Sequence, residues 1–285
     1  MALRLDSVGK TTRELTHTYA WKDTALYALG VGARLPGELD LLFEGRGPRV
    51  LPTYAVVPAY DACAALFDVV GGNLLGVVHG NQKTRLHAPF APAGTLRTVG
   101  RVAGIYDLKR MAIADFATTT HDEAGTLICE TEWRILYRLD GGFGGPTPPK
   151  RDEPRTPDRE PDWRFEAHTT AEQAALYRLS GDLNPLHIDP AIGTQAGFGG
   201  PILHGLCTYG IVGRAVIAEE CGGDPDRLRF LSGGFKKPVW PGDTLIVEGY
   251  RVPATETTPA RVLVRAVRAK EPGEAVFGGG WTEVG

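Results

Sequence analysis

Apolar positions fall in two kinds of run along this chain. From His204 to Glu219 they occupy every face: Leu206, Tyr209, Ile211, Val212, Val216 and Ile217. A helix apolar all round is a buried one, and Gly222-Gly223 supplies its stop. Arg261-Val262-Leu263-Val264-Arg265 alternates instead, as a half-buried strand does. Strands are predicted over 244–252, 260–270 and 275–284. Thr170-x-x-Gln173 reads as a capping box that opens a short helix running to about Leu179. The N-terminal part repeats this plan, with helices near 24–29 and 60–70 and strands near 96–105, 110–120 and 127–139, and HGNQKTRLHAP reads as a further strand. A buried helix followed by an antiparallel meander that wraps it is an α+β arrangement.

The repetition is also visible residue by residue. Ala25-Leu26-Tyr27-x-Leu29 matches Ala175-Leu176-Tyr177-x-Leu179 at an offset of 150. PFAPAGTL, starting at Pro89, lies over PVWPGDTL, starting at Pro238, and Leu51-Pro52 over Gly200-Pro201, both at 149. A period this long means a duplicated domain, not a solenoid. Between the copies, GGFGGPTPPKRDEPRTPDREPD mixes glycine, proline and charge and cannot bury apolar surface. The expected division is an N-terminal module over 1–140, a linker over 141–162 and a C-terminal module over 163–285.

Candidate chemistry is concentrated in the second copy. Asp182, Asn184 and His187 fall within six residues, bracketed by Gly181 and Pro185, so the backbone there is neither regular helix nor strand. An acid, an amide and an imidazole on one rigid turn suit the movement of a proton. The plain alternative is an Asp at a helix cap and a satisfied loop histidine. The repeat weighs against it: Gly32 and Gly37 stand where the second copy has Asp182 and His187, and Ala55-Val56 where it has His204-Gly205. Core packing would not demand the polar set in one copy and accept glycine in the other.

Composition adds exclusions. Net charge is −3 and sequence pI about 6.2, so no nucleic-acid partner is expected. No apolar run is read as approaching the roughly 20 residues of a membrane span, and neither terminus carries a recognisable targeting signal. Cys63, Cys129, Cys207 and Cys221 sit singly in apolar surroundings, without metal-ligand spacing, and read as buried thiols of a reducing cytoplasm. Gly30-x-Gly32 follows a helix signal, not a strand, and lacks the third glycine of a dinucleotide loop. No serine lies in G-x-S-x-G, the nucleophile elbow of serine hydrolases.

LSGDLNPLHID followed by GPILHGLCTYG resembles the signature of MaoC-like, R-specific enoyl-CoA hydratases of the type 2 class. YALGVGA, LPTYAV, LHAPFAPAGTL, GGFGG and FKKPVWPGDTL resemble the two-domain members of that family, so the likeness covers nearly the whole chain. It implies a double hotdog fold: two modules, each a buried central helix wrapped by an antiparallel sheet. The activity it implies is reversible syn hydration of trans-2-enoyl-CoA to (3R)-3-hydroxyacyl-CoA. Asp182 and His187 would hold the water, Asn184 would support them, and Gly205 would offer its N–H to the thioester oxygen. His79, Gly80, Lys109, Leu183, Pro185, Leu186 and Phe235 would contact the substrate, and the N-terminal module would accommodate the acyl chain without catalytic groups. Acyl-CoA is the expected partner, with no cofactor, metal or membrane, in a monomer of two pseudo-symmetric modules or a homodimer. Lys109, Arg110, Lys236 and Lys237 are candidates for CoA phosphate contacts. A hotdog thioesterase and a non-catalytic acyl-CoA binder are the alternatives. The Asp182-x-Asn184-x-x-His187 set speaks against the binder, and the resemblance against the thioesterase.

Overall fold

A computed structural model describes residues 3–150, 153–256 and 259–285. In chain order it contains β1 (Leu15–Tyr19), α1 (Trp21–Gly30), α2 (Val56–Val70), β2 (Val77–Leu86), β3 (Gly94–Asp107), β4 (Ala112–Asp122) and β5 (Leu127–Tyr137). After residues 141–162, whose described part holds no helix or strand, come β6 (Trp163–His168), α3 (Gln173–Tyr177), α4 (Pro190–Gln195), α5 (Gly205–Glu220), β7 (Leu228–Phe235), β8 (Thr244–Val252), β9 (Arg261–Arg268) and β10 (Glu271–Val284).

The strands follow one order twice: β2-β5-β4-β3-β1 in the first copy and β7-β10-β9-β8-β6 in the second. Among the described residues each copy therefore has five strands and one long helix. The pattern reading found three strands in each half. It also placed a strand in HGNQKTRLHAP, where most of β2 lies, and it missed β7, which contains two glycines, and the short β1 and β6. β2 reads VVHGNQKTRL, and this polar strand is paired to β5 along its length with a bulge at Gly80. A β-bulge breaks the alternation by which a strand is recognised.

Contacts divide the described residues into two compact units that do not follow the chain serially. One holds the chain up to Thr18, Ala55–Ala88 and Thr95–Glu153. The other holds Tyr19–Tyr54, Pro89–Gly94 and Pro154–Gly285. Helix α1, in the N-terminal half by sequence, thus folds with the second unit.

In the first unit α2 packs on β4 and β5. The 19 residues Pro52–Val70 are long and apolar enough to cross a membrane by length and composition, which corrects the reading that no run approaches that length. The stretch is apolar because α2 is a core helix, with Val56, Ala59, Ala62, Leu66 and Val70 buried. Gly100 lets it come close, since a Cβ there would lie 3.1 Å from the Ala62 carbonyl. The strands beneath carry a buried hydroxyl network: Thr98 with Thr120 (2.9 Å), and Thr131 with both Thr118 (2.6 Å) and the Trp133 indole (2.6 Å).

In the second unit α5 is buried from Leu206 to Ile217, against a sheet supplying Val247, Val264, Ala266 and Phe277. Each valine, leucine, isoleucine or phenylalanine side chain so taken from water contributes roughly 1.5–3 kcal/mol. Gly249 is obligatory there, because a Cβ would overlap the Trp163 indole at 2.0 Å. The exception on this apolar helix is Arg214. Its Nε and Nη2 donate to Glu38 (2.8 and 2.5 Å) and its Nη1 to the Val31 carbonyl (2.9 Å). The neighbouring carbonyls at the end of α1 are also satisfied from the C-terminal half. The Gln173 amide donates to Leu29 and Gly30 (3.1 and 2.6 Å) and the Cys207 thiol to Gly30 (3.3 Å). Gln173 is thus the first residue of α3, and its side chain serves α1 more closely than the expected capping box, whose Thr170 contact is 3.4 Å. All four cysteines are free and buried.

Arg214→Leu should destabilise the protein by about 1–3 kcal/mol, because it leaves the half-buried Glu38 carboxylate without its charged donor. Glu38→Gln, which leaves an acceptor in place, should cost less. Urea unfolding measures both, and an Arg214→Leu loss below about 1 kcal/mol would contradict the anchoring role.

Candidate active site

Local hydrogen bonds explain the spacing of the Asp-x-Asn-x-x-His motif. Gly181, at φ 123°, turns the chain out of the short helix before it. The Asp182 carboxylate accepts from the Asn184 N–H (3.2 Å) and the Asn184 side chain accepts from the Leu186 N–H (3.0 Å). These two turns open a single 3-10 turn, Pro185–His187, with Asn184 as its cap and Pro185 at its first position, where a missing N–H costs nothing. His187 is carried inward on that turn and is buried, while Leu183 and Pro185 are exposed and Leu186 is half-buried. Asp189 then caps α4 through the Ala191 N–H (2.8 Å). Helix α4 lies so close to the following loop that a Cβ on Gly193 would stand 2.1 Å from the Gly200 carbonyl.

The loop returns through Ile202 to the start of α5. The His187 Nδ1 lies 2.8 Å from the Ile202 carbonyl. A carbonyl only accepts, so Nδ1 carries the proton and Nε2 is left with the lone pair. His204, immediately before α5, makes the complementary choice: its Nε2–H donates to the Asp182 carbonyl at 3.1 Å. The two imidazoles lie face to face, 3.7 Å between centroids and 27° between planes. Potential ligand atoms of Asp182, His187 and His204 all fall within 4.8 Å of one another. Burial pushes the His187 pKa below its ordinary value, opposed by the Ile202 hydrogen bond and the Asp182 charge. Burial, reinforced by His187, pushes that of His204 down to about 2.

No side chain caps the first turn of α5, so its leading amides present the positive end of the helix dipole. Gly205 opens that turn, and a Cβ there would lie 3.2–3.4 Å from the Phe235 ring. Phe235 therefore walls the helix start, one side against Gly205 and the other against Phe277 (5.8 Å).

The structure thus brings together Asp182, Asn184, His187, Gly205 and Phe235 in one unit. Leu183, Pro185, Leu186, Lys236 and Lys237 belong to that unit too, whereas His79, Gly80, Lys109 and Arg110 lie in the other. The His79 ring stacks on Trp133 (5.0 Å, 4°) and its Nε2 contacts the Asn81 carbonyl (3.0 Å). Gly80 sits at the bulge, where a Cβ would meet Leu136 at 2.8 Å. Lys109 is exposed in the β3–β4 turn at φ 68°. Its N–H binds Asp107, which also accepts from Gly142 and Gly144 (2.7, 2.9 and 2.7 Å). Lys237 forms an ion pair with Glu274 (3.3 Å).

Two residues escaped sequence reasoning. The imidazole of His204 was noticed only as the neighbour of Gly205, although a buried polar residue opening an apolar helix is itself a signal. Tyr177, whose ring lies 4.9 Å from His204, resembled ordinary core. Position 32 also differs from expectation, since Gly32 leaves no simple vacancy. At φ 85° its Cβ would stand 3.1 Å from the Arg214 guanidinium, whereas Gly37 has nothing within 4 Å.

Two five-stranded antiparallel units, each with a central helix, define a double hotdog. A solved double-hotdog protein of Mycobacterium tuberculosis superposes over 98% of this chain and 96% of its own, with a TM-score of 0.60 at 19% identity. Residues 152–270 match the MaoC like domain and residues 17–139 the MFE-2 hydratase 2 N-terminal domain. The 3-hydroxyacyl-thioester dehydratase Y of Mycobacterium tuberculosis is 42% identical, over 96% of this chain and 94% of that protein. The peroxisomal enoyl-CoA hydratase 2 of Arabidopsis thaliana is 36% identical, over 82% of each. The solved peroxisomal multifunctional enzyme type 2 of Drosophila melanogaster aligns with a TM-score of 0.82 at 31% identity, over 95% of this chain and 48% of that longer one. The chain belongs to the MaoC-like family of hydratases and dehydratases, in its two-domain, type 2 form.

The histidine environment makes stability depend on pH. Unfolded, His204 takes up a proton near pH 6.5; folded, it stays neutral until about pH 2. The unfolded state therefore binds more protons below 6.5, and stability falls with acidification. From pH 7.5 to pH 5 this one residue should cost about 2 kcal/mol. Urea midpoints at the two pH values should show that loss in wild type and a loss smaller by about that amount in His204→Phe. Equal losses would contradict the burial argument.

Proposed function

We propose that this chain is a hydro-lyase that reversibly adds water across the double bond of trans-2-enoyl-CoA, in syn fashion, giving (3R)-3-hydroxyacyl-CoA. The observation that carries the proposal is the convergence of Asp182 and His187 beside the uncapped start of α5. The names of the relatives, an enoyl-CoA hydratase 2 and a 3-hydroxyacyl-thioester dehydratase, agree with it.

In this reading one water is held by the Asp182 carboxylate and the His187 Nε2 lone pair. The water oxygen bonds to C3 as one of its O–H bonds breaks, and the pair takes that proton and delivers a proton to C2. Acid–base groups of this kind contribute about 10²–10⁴-fold each. Negative charge grows on the thioester oxygen meanwhile, and the Gly205 N–H stabilises it; one such donor is worth about 2.7–4 kcal/mol. Asn184 supports the pair by shaping the turn that presents both groups. Both groups hold the same water in this reading, so the base is assigned to the pair and not to one member.

Substrate contacts are assigned to Leu183, Pro185, Leu186 and Phe235 near the reacting carbons and to His79, Gly80 and Lys109 in the first unit. The N-terminal module, 1–140, takes the acyl chain, and the C-terminal module, 163–285, does the chemistry. The reaction needs no redox or Lewis-acid cofactor. Although Asp182, His187 and His204 form a donor set a metal ion could use, an acid–base pair suffices to add water across the double bond, so we assign no metal. The free buried thiols suit a reducing compartment, which we take to be the cytoplasm, and we place the reaction in fatty-acid or related acyl-CoA metabolism.

Asp182→Asn and His187→Ala should each remove most hydration activity while leaving binding of a saturated acyl-CoA near wild type. The double variant should lose little more than either single one, since both act on the same proton transfers. Chiral analysis of the product should give the 3R alcohol. A 3S product, a single variant near full activity, or release of free CoA from saturated acyl-CoA would overturn the proposal, the last in favour of a thioesterase.

A chain-length series gives a separate test of the first module. Enoyl-CoAs with medium, long or ring-bearing acyl groups should be hydrated at least as well as crotonyl-CoA. A strong preference for the four-carbon substrate would contradict the role assigned to that module.

A further inference from the structure

Within this hydratase reading, we propose that His204 is a positioning residue of the reaction: its Nε2–H latches the backbone of Asp182 and its ring backs that of His187.

The fold does not require a histidine at this place. Ala55 stands at the matching position of the first copy and precedes α2 without a capping side chain, just as His204 precedes α5 without one. Nor does packing favour it. His204 is 1% exposed, and its Nδ1 has no hydrogen-bond partner among the described residues. A buried, unsatisfied nitrogen costs roughly 1–3 kcal/mol, a cost that a phenyl ring of similar shape would avoid.

What the imidazole supplies in return is local to the two reacting groups. It reaches 22 residues back in sequence to donate to the Asp182 carbonyl (3.1 Å). That bond ties the exposed motif loop to the rigid start of α5, the same turn that holds the Gly205 amide. The ring face lies on His187 at 3.7 Å, and Tyr177 closes in at 4.9 Å. His187 is thereby held between two fixed points, the His204 ring and the Ile202 carbonyl at 2.8 Å. Burial, with His187 and Arg178 as charged or chargeable neighbours, keeps His204 neutral, so it serves as a fixed donor and takes no proton from the water.

Two variants separate the contributions. His204→Phe keeps a flat ring against His187 and removes the donor. His204→Gln restores a donor without the ring. The readout is kcat and KM for an enoyl-CoA, with butyryl-CoA binding and a thermal melt to establish the folded fraction. His204→Phe should lose about 10–100-fold in kcat, the order expected for a small misplacement of reacting groups, with KM within about threefold of wild type. His204→Gln should recover part of that loss. Should the Phe variant not fold, His204→Ala, the side chain found at position 55, serves as the donor-less reference.

A donor-less variant with kcat within threefold of wild type, or a Gln variant no better than it, would overturn the role. So would a loss explained wholly by the folded fraction. If wild type itself does not hydrate enoyl-CoA, the hydratase reading fails and this role with it. Active wild type with an unaffected donor-less variant removes only the role of His204.

Discussion

The site depends on where α5 can begin. Its middle is buried on every side, so its axis is set by the sheet, and its first turn is left to face the motif loop with no capping side chain. Everything chemical is referred to that point. A Cβ on Gly205 would press on the Phe235 ring. His204, one residue earlier, binds back to Asp182. The His187 ring rests on His204 and is oriented by Ile202, three residues before Gly205. A loop whose leucine and proline face solvent is thus registered to one rigid helix end. This is how a site on irregular backbone obtains the precision that proton transfer needs.

The duplication explains why only one copy has this arrangement. In the first copy the residues at the catalytic positions are Gly32 and Gly37, and they belong to a segment that folds with the second unit. There the carbonyls closing α1 are taken up by Gln173, Cys207 and Arg214. The Arg214 guanidinium lies where a side chain at position 32 would start. The segment has become a support for the other copy's helix, and an acid at 32 would have to displace a buried ion pair. Loss of chemistry in one half and anchorage of the chemistry in the other are therefore two aspects of one set of contacts.

Much of this was legible in the sequence, and the rest was hidden for definite reasons. The 149–150 repeat announced two copies of one plan because the same loops close the same strands. The all-round apolar run from Leu206 to Ile217 announced a buried helix because nothing else hides every face. Gly181, Asn184 and Pro185 announced a tight turn because each has a specific backbone use. Strand β7 was not legible, since the glycines in SGGF break the alternation. The apolar character of α2 was read too weakly, for the 3-10 turn before it extends the run to Val70. His204 was not separable from the glycine beside it, because its value lies in contacts 17 and 22 positions away in sequence, which only the folded loop brings near.

The central claim is that one face of the substrate meets one coupled acid–base pair holding one water. Hydration of a trans-2-enoyl-CoA in D2O measures this directly, because the configuration at C2 records the face that received the deuteron. A single pair serving both carbons predicts deuterium at C2 on the same face as the hydroxyl at C3, in a product that is 3R. Deuterium on the opposite face, or scrambled between the two, would mean that the proton arrives from elsewhere and would contradict the account.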